Sequence, residues 1–400
     1  MIGLALFVCL CVSLSIARAA PPEKSSPAAA TTASNAFGFE LYARVKVGQK
    51  NVICSPASAS IALAMALAGA RGSTLQEMTR VLHLDGGEPR QAHASFAALL
   101  ETLNKRDGQE GVALRIADRL WGQKDLKFEP DYLRLLRGRY RAPLEQVDFV
   151  KATEAARVAI NRWTAVQTHG LIPEILKRGD LTGDARLVLT NAVYFKGRWA
   201  TEFSQGETAD RPFAAPDGKV VAKLMHKQAS LKYARAKGVQ LVELDYRGGL
   251  SMVVVLPDLE NGLDAVEARL ADSYHAWSRA LDYKLIDLRL PRWKVTSRLS
   301  LADALAAMGM PTAFSQAANF TGIAQARPLF LHRVLQQAFA NVDEAGTEAA
   351  AVTAIIMGIT SKGHSVSTPI PFHADHPFLY LIRDTKTGVI LFIGRVVDPR

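Results

Sequence analysis

Residues 343–357 read DEAGTEAAAVTAIIM: an acidic start, one glycine, then small and β-branched side chains with no Pro, Lys or Arg. Such a run has strand propensity but little bulk with which to anchor a core. As a strand it would set Thr347, Ala349, Ala351, Thr353 and Ile355 on one face and Glu348, Ala350, Val352, Ala354 and Ile356 on the other. Only the second face carries a charge, so the first can lie against a packed interior without burying an unpaired carboxylate. Gly346 supplies free φ/ψ where a hinge would need it. The letters EAAA also suit a helix, and local composition leaves both states open.

The chain has 400 residues, 49% of them hydrophobic, enough for one large domain or two small ones, and no repeat or long charged block divides it. Leu4 to Ile16 is an apolar run closed by Ala17-Arg18-Ala19, the small-residue pattern of a signal-peptidase site. Residues 1–19 therefore read as a signal peptide, and the mature protein as secreted, extracellular or periplasmic. Because no Lys or Arg precedes the run, a short membrane anchor is the alternative. Loss of the leader removes Cys9 and Cys11 and leaves Cys54, so no intramolecular disulfide is expected and stability must come from packing. Cys54 precedes Ser55-Pro56 and an apolar stretch, which suits a buried structural thiol. Residues 20–34 are rich in Pro, Ala, Ser and Thr without periodicity and read as a flexible linker.

The formal charge is +10, and since Arg18 is the leader's only charge, the mature chain carries +9. That excess is compatible with weak polyanion binding and points to no specific nucleic acid. Arg134, Arg137, Arg139 and Arg141 cluster at the end of a helix-like stretch, where cations also complement the helix dipole.

Ser55 to Gly69 is apolar at nearly every turn and predicts a buried helix. Ser73-Thr74-Leu75-Gln76 opens the next helix with a capping-box pattern, residues 92–104 form a third, and 152–168 a longer amphipathic one stopped by Gly170. Leu187 to Phe195, Leu250 to Leu256, Leu285 to Leu290, Phe378 to Arg383 and Val389 to Val396 then read as strands. Helices first and strands later predict an α+β domain with a large, mainly antiparallel sheet system. The chain contains no G-x-S-x-G elbow, H-E-x-x-H, P-loop or G-x-G-x-x-G. His373-Ala374-Asp375-His376 ahead of Pro377 reads as a structural turn rather than a metal site. No catalytic residue, cofactor or metal is expected.

Segments taken in order along the chain resemble the serpin family: NVICSPASASIALAMALAGARGST (51–74), LTNAVYFKGRWATEF (189–203), LPRWKV (290–295), ANFTGI (318–323), DEAGTEAAA (343–351) and ADHPFLYLIRDTKTGVILFIGRVVDP (374–399). The resemblance extends over 35–400. It implies a multi-helix N-terminal half around a large, mainly antiparallel central sheet, further sheets, and an exposed reactive loop at about 344–372. It also identifies the stretch after Gly346 as the hinge of a loop that enters the central sheet once cut. The implied activity is suicide inhibition, by a monomer, of a serine or cysteine endopeptidase, which attacks the loop, forms an acyl intermediate and is carried away before deacylation.

On this resemblance Thr347 is the first inserting residue, where a small or hydroxylated side chain is the inhibitory pattern, and Glu348, Ala349, Ala350 and Ala351 continue it. Glu344 resembles the hinge-base glutamate with Arg292 as its basic partner, and Trp199 the tryptophan beneath the insertion point. Ser55, Ser58 and Asn191 match the region where sheet strands part. Gln336 occupies a place where histidine is common, so no pH-dependent latch is expected of it. Counting from Glu344 puts the scissile bond at Thr360-Ser361, with Met357 and Ile359 as upstream alternatives. That bond suits elastase-like or subtilisin-like proteases; cleavage after Lys362, the loop's one Lys or Arg, would suit a trypsin-like enzyme. The rival is a non-inhibitory serpin acting as a chaperone, carrier or polyanion-binding module. A bulky or charged residue at 347, or a Pro among 349–353, would have favoured it, and neither is present.

Overall fold

A computed structural model describes residues 26–85, 88–109, 111–326, 328–347 and 368–400. The leader 1–19, the hinge continuation Glu348 to Ala351 and the scissile-bond candidates Met357, Ile359, Thr360, Ser361 and Lys362 lie outside the described residues.

Ala28–Val45 forms α1, which buries Ala30, Ala33, Phe37 and Leu41. It begins inside the expected linker and ahead of residue 35, so the linker reading is corrected for 28–34: alanine costs a helix least, and this face has a core to cover. α2 (Pro56–Leu67) is buried at every position, as its all-round apolar pattern predicts. α3 (Gly72–Val81) starts ahead of Ser73, with extended Arg71 at its N-cap and no capping side chain. The expected capping box is not formed because the helix begins at Gly72 and places Ser73 inside its first turn; the Thr74 hydroxyl accepts from the Asn319 N–H at 2.9 Å. α4 (Pro89–Asn104) follows; α5 (Pro130–Leu135) runs into a one-turn π segment, Leu136–Tyr140, that leaves Arg137 and Arg139 exposed. α6 (Thr153–Gln167) closes the helical part, and α7 (Leu263–Glu267), α8 (Leu270–Arg279) and α9 (Ala302–Met308) are short later helices.

The strands among the described residues form two sheets. One holds β1 (Val52–Cys54), β5 (Ala209–Ala215), β6 (Gly218–Ala236), β7 (Val239–Asp245), β8 (Leu250–Pro257), β9 (Asp282–Pro291), β13 (Ile370–His373), β14 (Phe378–Asp384) and β15 (Ile390–Val396). Its order is β1-β15-β14-β8-β7-β6-β9-β13, with β5 on β6. The central sheet holds β2 (Val112–Gln123), β3 (Glu145–Val147), β4 (Leu187–Arg198), β10 (Trp293–Ser300), β11 (Leu331–Asp343) and β12 (Gly346–Thr347), in the order β10-β11-β12-β4-β2-β3. Pairing is antiparallel except for β4 with β11, β2 with β3, and β9 with β13. The α+β reading holds, but β1, β2 and β3 fall among the helices. β13 also shortens the expected 344–372 loop: buried Phe372 holds 370–373 against β9.

The main core lies between the sheets and under α1 and α2. A second core covers the other face of the central sheet, where Ile160 of α6 with Ile172, Ile175 and Leu176 closes over Trp121, Val188, Ala192 and Leu335. α6 and the segment that follows it together cover this face of β2, β4 and β11.

Candidate functional site

β4 and β11 pair in parallel from Leu187↔Leu331 to Tyr194↔Phe339. Beyond that the chain leaves β11, turns at Glu344-Ala345 and returns as β12 between the same two strands, antiparallel to both. The Asp343 carboxylate closes the turn by accepting from the N–H groups of Ala345 at 3.0 Å and Gly346 at 3.2 Å. Gly346 has φ of +151°, and a Cβ there would lie 2.0 Å from the Gly197 carbonyl oxygen. Only glycine fits so narrow a wedge. Thr347, expected as the first residue to insert, is already in the sheet and fully buried, its hydroxyl 2.7 Å from that of Tyr246.

The segment after β4 supports this wedge from below. Trp199 stacks on Tyr246 with ring centroids 4.3 Å apart and donates its indole N–H to the Asp343 carbonyl at 3.0 Å. The backbone N–H groups of Trp199 and Phe203 donate to the carbonyls of Ala345 and Glu344 at 3.0 and 2.9 Å. Glu344 is buried and accepts from Arg292 Nε at 2.8 Å, from Arg292 Nη2 at 2.5 Å and from the Thr208 hydroxyl. Burial opposes its charge, yet the bonds from Arg292 and Thr208 outweigh burial and hold its pKa below the usual glutamate range. Asp343 goes the other way: burial pushes it up against the two backbone N–H bonds that favour its ionised form.

Deeper along the seam, Gln336 of β11 stands opposite Asn191 of β4. Gln336 Nε2 donates to Asn191 Oδ1 at 2.6 Å, and the same amide bonds the Ser55 carbonyl and N–H, each at 2.9 Å. Asn191 Nδ2 donates to the Ser58 hydroxyl and to Asp118 Oδ1. Ser55 in turn caps α2, its hydroxyl accepting from the Ser58 N–H at 3.4 Å. The resemblance-based residues therefore gather into two connected places: Glu344, Gly346, Thr347, Trp199 and Arg292 at the wedge, and Ser55, Ser58, Asn191 and Gln336 along the seam.

Asp118, Thr208, Tyr246 and Asp343 belong to the same networks and were missed. Asp343 had a signal, an Asp two and three residues ahead of the N–H groups it accepts from. The other three are joined to the site only by the fold. His376 Nδ1 is 2.9 Å from the Asp375 carboxylate and Nε2 2.8 Å from the Pro257 carbonyl, while His373 Nε2 is 3.1 Å from Asp287. These imidazoles hold a turn. Burial pushes the Cys54 thiol up to about 12, which leaves it protonated at neutral pH.

The serpin (serine protease inhibitor) family model matches residues 32–399. The chain belongs to the serpin family. Members of this family are typically protease inhibitors rather than catalytic enzymes. This serpin is 37% identical over 384 residues to the leukocyte elastase inhibitor of Xenopus tropicalis, an alignment covering 92% of this chain and 99% of that protein. The crystal structure of Serpin48, a highly specific serpin of the insect Tenebrio molitor, is similar with a TM-score of 0.83 at 29% identity, covering 93% of this chain and 98% of that one. Human thyroxine-binding globulin, solved with thyroxine, is similar with a TM-score of 0.82 at 28% identity, covering 93% of this serpin and all of that chain.

Proposed function

We propose that this serpin is an exported, monomeric suicide inhibitor of a serine endopeptidase, in which the cut loop inserts between β4 and β11 with the acylated protease attached. The observation that carries this reading is the wedge of Gly346 and Thr347, antiparallel to both neighbours at the end of a parallel seam. A strand continuing from Thr347 replaces one parallel pairing by two antiparallel ones, the more stable kind per residue. About 15 residues at roughly 3.3 Å each would carry the protease about 50 Å. A dozen new backbone hydrogen bonds at about 1 kcal/mol net supply on the order of 10 kcal/mol. Displacing an oxyanion hole by about 1 Å slows deacylation by about a hundredfold, which preserves the acyl-enzyme.

The name of the Xenopus relative supports an elastase-like target and, with it, cleavage at Thr360-Ser361. A trypsin-like target goes with cleavage after Lys362. Export rests on the leader 1–19, and exposed Arg137, Arg139 and Arg141 leave room for a weak polyanion affinity. Thyroxine-binding globulin shows that the fold can also bind thyroxine, so the hinge must discriminate.

The deciding variant is Thr347→Arg. Its side chain cannot occupy the buried place beside Tyr246, so the wedge is expelled while the rest of the fold, which needs only two residues less of strand, remains. Incubated with elastase-like, subtilisin-like, chymotrypsin-like and trypsin-like proteases, the wild type is expected to give a covalent band at the summed mass, and mass analysis of the cut fixes the scissile bond. The variant is expected to be cut without that band. A variant that forms the complex at the wild-type rate would overturn the mechanism.

A further inference from the structure

We propose that Asp118 is the positioning residue that sets how readily β4 and β11 part, and that it does so by exchanging a proton. This rests on the insertion reading above. Asp118 Oδ1 accepts from Asn191 Nδ2 and, at 3.4 Å, from the Ser58 hydroxyl. Asn191 is the residue that accepts from Gln336 across the seam, so one line of bonds runs from β2 through β4 to β11 and back to α2. Asp118 is buried, and its other oxygen, Oδ2, has no hydrogen-bond partner among the described residues. A buried carboxylate with an idle oxygen is the costliest member of such a line when ionised and an ordinary one when neutral.

Among the described residues no ion pair reaches Asp118. α2 brings Ser58, with Ser55 at its N-cap, and has no ionisable residue, β4 brings Asn191, and β11 brings Gln336. At the edge of β2, Asp118 lines a cavity of about 130 Å³ with Asn104 of α4, Tyr140 and Arg141 from the π turn, Trp163 and Gln167 of α6, and its neighbour Arg119. Arg119 is engaged with Glu145 of β3 and lies over the rings of Trp121 and Trp163. His93, 2.7 Å from the Tyr140 hydroxyl, is pushed down to about 4 by burial and then by Arg139, and so is neutral at physiological pH. Burial pushes Asp118 up to about 7, against the bonds from Asn191 and Ser58. The titrating group of the seam is therefore not at 336 but on β2.

The sign follows from burial as the dominant cause. Parting β4 from β11 admits water and returns the carboxyl toward its ordinary range, so ionisation favours the parted state. As pH rises from the parted state's lower pKa, opening becomes easier, and it levels off above about 7, where the closed state is ionised as well.

The test is the rate at which a fluorescent synthetic peptide copying residues 347–357 is taken up by the intact protein from about pH 5.5 to about pH 8.5. Wild-type uptake is expected to accelerate about tenfold, the factor for one pKa unit, and then to plateau above neutrality. Asp118→Asn is expected to be slow and flat. Infrared difference spectra of the wild type should show a buried protonated carboxyl that titrates near neutrality and is missing from D118N; should D118N not fold, the wild-type rate profile and this band decide together. Uptake with the same pH dependence in both proteins, or no such band, overturns the role of Asp118 and leaves the insertion reading intact. No uptake by either protein at any pH overturns the insertion reading, and this proposal with it.

Discussion

Glu344 keeps its charge inside the protein because three donors converge on a single oxygen, two from Arg292 and one from Thr208. Its pKa is depressed, so its contribution to stability is present above the ordinary glutamate pKa of about 4.3 and is lost as pH falls through the lowered value. Glu344→Gln removes the charge and keeps the shape. The expected cost is about 1–3 kcal/mol at neutral pH, read as a lower melting temperature, and the gap from wild type should close in acid. A gap that is the same at every pH would mean that shape, not charge, holds the hinge. Glu344 and Arg292 lie far apart in sequence, and only a family likeness brings them together on paper. Thr208 and Tyr246 had no such likeness behind them, since each meets the hinge through a different strand connection. Asp118 was hidden in another way, because an Asp beside an Arg in VALRIADRLWGQ reads as a solvated face until the fold buries it.

At the scale of elements, β4, β8, β14 and β15 were legible because both of their faces are buried and their sequences run apolar. β2 and β11 were not. β11 carries Gln336 and Gln337 at buried positions, which erases the apolar run, and the charges of β2 break its alternation. β11 is one side of the seam and β2 backs β4, the other side, so of the seam's two walls only β4 was readable. α6 with its trailing segment packs over that seam, and β12 lies between β4 and β11 at its end. If the rest of the loop follows, cutting it without a captured protease releases the same energy into the fold. Loop-cleaved protein is then expected to melt about 13 °C above the intact form in calorimetry, taking about 10 kcal/mol of new pairing and the usual entropy of unfolding for a chain of this length. An unchanged midpoint would place this serpin with the non-inhibitory members.

The molecule as a whole is closed by its two ends: β1, from residues 52–54, pairs with β15, from 390–396, so that Cys54 lies opposite Ile393. Cys54 is fully buried there, and burial holds its thiol in the unreactive protonated form. A thiol reagent can reach it only when β1 leaves the core, and for a domain stable by 5 kcal/mol or more the open fraction is at most about one part in a thousand. Labelling of leaderless protein by a chromogenic disulfide reagent is therefore expected to be at least about a thousandfold slower in the native state than in denaturant. Reductant should leave the melting temperature unchanged. Loop cleavage should slow native labelling further, since a strand added to the central sheet raises the cost of the global opening that exposes Cys54. Rapid native labelling, indifferent to loop cleavage, would instead mean that β1 detaches on its own, and that the pairing of the two ends is separate from the cooperative unit containing the seam.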